Sequence, residues 1–407
     1  MTDPAPKRVA FLLDNLRGGG AERVVLSLAA GFKARDYAVD LLVCELRGEL
    51  AAQLPAGVNV VELTPAPVFA TLRSVVPGAG VTRELLGFVS SARKLPGNLR
   101  FVRAVADYLD TVRPDVLYSA LPKANVVGVL ARRLAPDVST RVFVGVQNPL
   151  SVRAARGRSD GRGQLHHMLP LLSACYAAAD GVIAASQGVA DDAVELLGLA
   201  AHHVTVVHNP VDVAAASTGR VPDHPWFAAP GPPVVLAIGR MVPQKNFHLL
   251  LHAIALVNEE EPVRLMILGG DDSDAAQVAC RTSLEELAAA LGIGDVLSMP
   301  GFASNTQDYL RAANLFALSS IYEGFGLVLV EALLAGCPVV STDCPSGPAE
   351  ILEGGRHGRL VPVNDAAALA AAIRQTLAEE PDRDALRERG EDFAPERAVA
   401  AYAALFG

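Results

Sequence analysis

Five cysteines are all that the 407 residues hold: Cys44, Cys175, Cys280, Cys337 and Cys344. They are odd in number and scattered. Cys337 and Cys344 have only each other nearby and no histidine, so no metal site is expected, and the set reads as reduced, mostly buried thiols. No run approaches the ~18 uninterrupted apolar residues of a membrane span. No basic run interleaves with aromatics, which argues against a nucleic-acid partner. The start, MTDPAPKRVAFLLDNL, offers only about six apolar residues before Asp14, too few for a signal-peptide core. A cytoplasmic protein is therefore expected. Charged residues are also sparse, at 19% against 51% hydrophobic, which excludes a disordered chain.

What the sequence does have is length for two or three domains and a lopsided charge. Residues 1–210 carry 22 Lys+Arg against 18 Asp+Glu, while the remainder carries 13 against 26, within a net charge of -9. Such a split suggests halves that face different partners. Short apolar runs recur at 9–14, 39–45, 59–63, 115–120, 141–146, 181–186 and 204–209, with helical patterns between them. Continuous rather than alternating apolar runs point to parallel strands covered on both faces. Residues 209–233, rich in Pro, Gly and small residues, break the rhythm as a linker. It resumes at 234–239, 264–269, 295–301, 315–320, 338–342 and 359–363. The reading is an α/β protein of two Rossmann-like, doubly wound domains, 1–210 and 211–390, facing across a cleft that binds ligand at the strands' carboxyl ends.

Three loops could do chemistry. Gly18, Gly19 and Gly20 lie between the first strand and its helix. Glycines there let backbone approach a ligand and the helix N-terminus favours an anion; a bare tight turn is the alternative. The spacing is not GxGxxG, so dinucleotide binding gains no support. Gly239, Arg240 and Lys245 follow the first strand of the second half. Two cations beside a glycine suit a diphosphate, unless they are only solvated. The third is YEGFGLVLVEALLAG, residues 322–336, read as a loop and then a helix capped by Gly336. Its N-terminus lies at a strand end and offers free N–H groups to an anion. Glu323 precedes the helix and suits a sugar hydroxyl, developing positive charge or the helix dipole. Glu331, one turn inside, suits ribose hydroxyls and is poorly explained as a dipole charge.

These stretches, with AERVVLSLA, VVHNPVD, CPVVSTDCPSGPAEIL and GRLVPV, resemble a family 4 retaining glycosyltransferase of the GT-B fold, of the E-x7-E type. The likeness runs over nearly the whole chain. It implies an N-terminal acceptor-binding domain, a C-terminal nucleotide-sugar-binding domain and a last helix, 391–407, that crosses back to the first. It further implies that Arg240 and Lys245 bind the donor diphosphate and stabilise the leaving nucleotide. Glu323 would face the donor sugar, and the backbone from Gly324 through Phe325, Gly326 and Leu327 to Val328 would contact sugar and phosphate. Glu331 would hold the ribose, Gly301 and Phe302 would lie beside the base, and the Gly18–Gly20 loop would close over phosphates and acceptor. The expected substrates are a nucleotide-sugar donor, UDP-linked by resemblance, and a glycan or lipid-linked acceptor. No cofactor and no metal are expected.

One departure stands out. Where many members of this family have a histidine, this sequence has Gln147 and Asn148, neither of which can act as a general base. In a front-face mechanism the leaving phosphate takes the acceptor proton instead. The Asp-x-Asp in GGDDSD reads as a polar turn rather than a metal-diphosphate ligand. Arg153, Arg156, Arg158 and Arg162 read as a mobile basic loop facing an acceptor phosphate. The basic, partly apolar segment 71–103 reads equally as a contact for anionic membrane or as an insertion with solvated charges. Two rival readings stay open: a nucleotide-sugar epimerase of the same fold, and a non-catalytic partner subunit. Nothing in the sequence fixes an oligomeric state.

Overall fold

The structure, a computed structural model, describes residues 7–17, 19–67, 82–91, 97–159, 165–212 and 218–407. Gly18, Arg162 and, within the segment 71–103, residues 71–81 and 92–96 lie outside these, and the side chains of Arg156 and Arg158 are not among those described. The chain divides into two compact units, Met1–Pro210 with Pro395–Gly407, and Val211–Ala394.

The first unit is built on seven parallel strands: β1 (Arg8–Leu13), β2 (Ala38–Val43), β3 (Asn59–Glu62), β4 (Val116–Ala120), β5 (Arg141–Val146), β6 (Gly181–Ala184) and β7 (Val204–Val206). Their order is β3-β2-β1-β4-β5-β6-β7. β1 has five consecutive buried residues and β4 is buried throughout, the mark of a sheet covered on both faces. Helices Gly20–Lys33 and Pro395–Phe406 cover one face. There Phe32 stacks on Phe406 at 5.5 Å, and Tyr402 meets Tyr118 edge-on at 5.3 Å. Gly31 allows the two helices to touch, since a Cβ there would collide with Val399. The other face is filled by Val102, Val105, Leu109, Val127, Leu171 and Tyr176.

The second unit has six parallel strands: β8 (Val234–Ile238), β9 (Arg264–Leu268), β10 (Leu297–Gly301), β11 (Leu315–Leu318), β12 (Val339–Thr342) and β13 (Arg359–Val361). Their order is β10-β9-β8-β11-β12-β13. In each sheet the order reverses beside the unit's first strand. The reversals fall between β1 and β4, and between β8 and β11. Open α/β sheets present a crevice at such a switch point, outside the carboxyl ends of the strands. The Gly18–Gly20 loop, the Gly239–Lys245 loop and the stretch 322–336 each start at one of those four strand ends.

Candidate active site

In the second unit, the loop after β8 and the loop after β11 are tied across the switch point. Gln244 donates its side-chain amide to the Tyr322 carbonyl at 2.9 Å, and Ile321 N–H donates to the Gln244 carbonyl at 2.9 Å. Ser319 Oγ donates to the Lys245 carbonyl at 2.8 Å. These bonds fix the backbone that carries Lys245 and Glu323. Lys245 Nζ then reaches Glu323 Oε1 at 2.7 Å, and Ser320 Oγ donates to the same oxygen at 2.6 Å. Both charged side chains are largely buried, Glu323 at 6% residue exposure. A buried charge needs its partner, so neither is free to be lost cheaply. Arg240 differs. It is exposed, and its side chain makes no hydrogen bond or ion pair among the described residues. The switch point therefore holds a neutral pair with one uncompensated cation beside it.

A third strand end braces the pair. Thr342, the last residue of β12, donates its hydroxyl to the Ser320 carbonyl at 2.7 Å, and Glu323 N–H donates to the Pro345 carbonyl at 3.2 Å. Gly347 takes φ +95°, and a Cβ there would collide with the carbonyl of Phe325. Cys344 is buried against this corner, and burial, with the Glu323 charge adding to it, pushes its thiol up to about 12. Sequence reading missed Ser320, Thr342 and Gly347. Their signal is position: each stands at or just beyond the carboxyl end of a strand that neighbours the switch point.

The stretch from Glu323 packs as its spacing predicts. Gly324 and Phe325 are buried, and Phe325 turns its ring onto Phe393 at 5.3 Å, so only its backbone is left to face a ligand. Gly326 caps the helix Leu327–Leu334 with no side-chain cap bond. Leu327 and Val328 are half-buried in the first turn. Leu329, Val330, Ala332 and Leu333 form its buried face, and Glu331 is buried with them at 8% exposure. The helix ends in paired bonds from Gly336 N–H to the Leu333 carbonyl and Cys337 N–H to the Ala332 carbonyl, a Schellman closure with glycine at the left-handed position. Gly239 N–H donates to Leu268 and Gly269 N–H to Gly301, aligning the ends of β8, β9 and β10. Just past them Phe302 is 63% exposed, a large ring left in solvent.

The GGDDSD stretch is spent on its own turn. Asp271 accepts from the backbone and hydroxyl of Ser273, and Asp274 caps the helix Ala275–Ala290. Among the described residues no three His, Cys, Asp or Glu side chains converge as metal ligands.

In the first unit the structure changes two expectations. Gly19 is the N-cap of the helix Gly20–Lys33, and the Glu22 carboxylate lies against it, where a Cβ on Gly19 would fall. A carboxylate from the third helical position already lies over the end expected to take an anion. The basic stretch after β5 is not a loop through its first half: residues Leu150–Ser159 are helical. Asp192 accepts from Leu150 N–H at 2.6 Å and Ser151 N–H at 3.2 Å and so caps that helix from outside. Arg153 is exposed on it, and Arg156 lies one turn on. Gln147 is buried. Its amide nitrogen lies 3.5 Å from the Tyr118 hydroxyl, and its oxygen accepts from Asn209 at 2.9 Å. Asn148, beside it, is half-buried.

Residues 18–215 match the family described as Glycosyltransferase Family 4, and residues 224–393 match Glycosyl transferases group 1. The chain belongs to the family 4 glycosyltransferases. Among curated relatives of this glycosyltransferase, the lipopolysaccharide core biosynthesis glycosyltransferase LpsE of Rhizobium meliloti is 35% identical over 160 residues, 39% of this chain and 44% of that protein. The N-acetylgalactosamine-N,N'-diacetylbacillosaminyl-diphospho-undecaprenol 4-alpha-N-acetylgalactosaminyltransferase of Campylobacter jejuni is 26% identical over 219 residues, 54% of this chain and 56% of that protein. The glycosyltransferase thus spans about half the length of the curated relatives it matches. Among solved structures, Anabaena HepE, crystallised with UDP and glucose, superposes with a TM-score of 0.74 at 22% identity, over 97% of this chain and 98% of that one. That likeness is one of fold, and the fold is GT-B.

Proposed function

We propose that this glycosyltransferase moves a sugar from a UDP-sugar to a hydroxyl of a lipid-linked or cell-surface glycan precursor, with retention of configuration and without a metal. The observation that carries the reading is the buried Lys245–Glu323 pair at the β8/β11 switch point, with Arg240 unpaired beside it. A diphosphate arriving there meets one free cation and a second that a small shift releases from Glu323. As the bond from the sugar C1 to the diphosphate oxygen breaks, its electron pair moves onto that oxygen, and Arg240 and Lys245 neutralise the charge. Glu323, no longer sharing Lys245, faces the positive charge that develops on the sugar. The acceptor hydroxyl attacks from the leaving-group side and passes its proton to the departing phosphate. That route asks for no histidine where Gln147 stands.

UDP as the nucleotide is supported by the HepE structure with UDP and glucose. A glycan or lipid-linked acceptor is supported by the names of the Rhizobium and Campylobacter relatives. Glu331 is assigned to the ribose, Phe302 and Gly301 to the base, and the first unit to the acceptor. Work at the cytoplasmic membrane face follows from that substrate class. No helix among the described residues is long and apolar enough to cross a membrane.

The test measures UDP binding and UDP release from UDP-sugars, each with EDTA and with and without lipid-linked acceptors. Arg240→Ala and Lys245→Ala are expected to lower turnover by roughly 10²–10³, the cost of losing a donor to developing charge. UDP binding that yields no release or transfer under any acceptor sinks the catalytic reading in favour of a partner subunit. Donor turnover without acceptor, giving an epimerised sugar, sinks it in favour of an epimerase.

A further inference from the structure

The first unit has a switch point of its own, and Asp14 and Lys123, which flank it, have been given no role. Asp14 stands immediately past β1, and Leu121, Pro122 and Lys123 stand immediately past β4. The register pairs Leu12 with Ser119, which sets Asp14 level with Leu121 and Lys123 two residues further out. The flanking groups do not satisfy one another. Asp14 is partly buried, and its carboxyl accepts one hydrogen bond among the described residues, from the side-chain amide of Asn98. Lys123 is exposed and forms no ion pair among the described residues, although its charge reaches Asp14. Burial pushes the Asp14 carboxyl up to about 6, with Glu22 and Glu45 adding to the effect and Lys123 and Asn98 opposing it. A carboxylate desolvated this far without a cation in contact gains nothing for packing. Its oxygens are suited to accept hydroxyl hydrogen bonds, and the Asn98 amide supplies donor and acceptor beside them.

We propose that this crevice seats a phosphorylated sugar, with Asp14 and Asn98 on ring hydroxyls and Lys123 on the phosphate. The inference rests on the glycosyltransferase reading above, whose acceptor chemistry it names. A bare phosphate fits poorly, because the Asp14 carboxylate stands at the same pair of strand ends as Lys123, with the Glu22 charge, and that of the Arg47-paired Glu45, acting on it as well. A neutral sugar leaves Lys123 unused. A sugar carrying a phosphate satisfies both ends, as the first residue of a lipid-linked precursor would.

Isothermal titration with glucose 1-phosphate, methyl glucoside and inorganic phosphate tests it, each run with UDP saturating so that the donor side is filled. The intact protein is expected to bind glucose 1-phosphate more tightly than either fragment. Asp14→Asn and Lys123→Met are each expected to weaken that binding by about tenfold, the size of one charge-assisted contact, and to leave UDP binding unchanged. The proposal is overturned if glucose 1-phosphate and inorganic phosphate bind alike, if the sugar phosphate does not bind, or if Lys123→Met matches the intact protein. Lys123 is exposed, so its variant keeps the test open should Asp14→Asn lose the fold. Failure to bind UDP would count against the donor reading instead, and is read separately in the same titrations.

Discussion

Glu323 and Glu331 are both buried carboxylates, but they are held by different means, and this separates the effects of removing them. Glu323 is held by Lys245 Nζ and Ser320 Oγ on one oxygen. Glu323→Gln keeps the Ser320 bond and loses the charge, so turnover should fall more than UDP affinity. Glu331 sits on the buried face of a helix, and Glu331→Ala should raise the Kd for UDP with a smaller effect on turnover at saturation. Comparable losses in both variants on both measures would undo the division of roles. Asp14 adds a pH dependence of stability. Its folded pKa of about 6 lies above the ordinary carboxylate value of 3.8, so the folded state binds the proton more tightly. Stability from this group is present below the lower value and is lost as pH rises through the upper one. Asp14→Asn should therefore raise Tm relative to the parent at pH 7–8 and not at pH 4. An unchanged difference across that range would mean the carboxyl is not buried in solution. Gln147 is a third case. Gln147→Leu leaves Tyr118 and Asn209 short of a buried partner, an expected cost of about 1–3 kcal/mol in denaturant unfolding.

At the scale of elements, the loop after β12 acts as a brace for the loop after β11. Gly347 is pressed onto the Phe325 carbonyl at φ +95°, a conformation that costs a residue with a Cβ on the order of 1–3 kcal/mol before any collision is counted. Gly347→Ala should therefore move the Glu323 loop, lowering turnover and UDP affinity together, with a fall in unfolding free energy of at least that size. Wild-type kinetics in a folded Gly347→Ala protein would show that the brace is not needed. The same comparison shows what was legible from sequence. The strands were, because buried parallel strands are short continuous apolar runs bounded by turn residues and recurring between helical patterns. The Leu327–Leu334 helix was, because Gly336 and Pro338 end it locally. The helix Leu150–Ser159 was not: its arginines and glycine read as a loop, and what caps it is Asp192, more than forty residues away. Nor was the Lys245–Glu323 pair, since it is the strand order, with β8 beside β11, that makes residues 78 apart neighbours. Asp14 was passed over for the same reason: its setting depends on Asn98 and Lys123, which only the sheet brings close.

The whole molecule is two units of one plan, each with a core of its own, and the chain returns to the first unit for its last helix. That return is a packing necessity for the first sheet. Tyr402 and Phe406 are buried against Tyr118, Phe143 and Phe32, and the Tyr402 hydroxyl lies 3.2 Å from that of Tyr118. Without residues 395–407 those rings face water. The second unit, Val211–Ala394, keeps its own six-stranded sheet, the Lys245–Glu323 pair and the brace from β12. Tyr402→Ala should then cost about 3–5 kcal/mol, confined to the first unit, and ending the chain at Ala394 should unfold that unit while UDP binding survives. Calorimetry resolves the point if the parent's unfolding separates into two transitions and Tyr402→Ala lowers one of them. A variant in which both transitions fall together, or in which loss of the helix abolishes UDP binding, would show that the two units do not hold their structures independently.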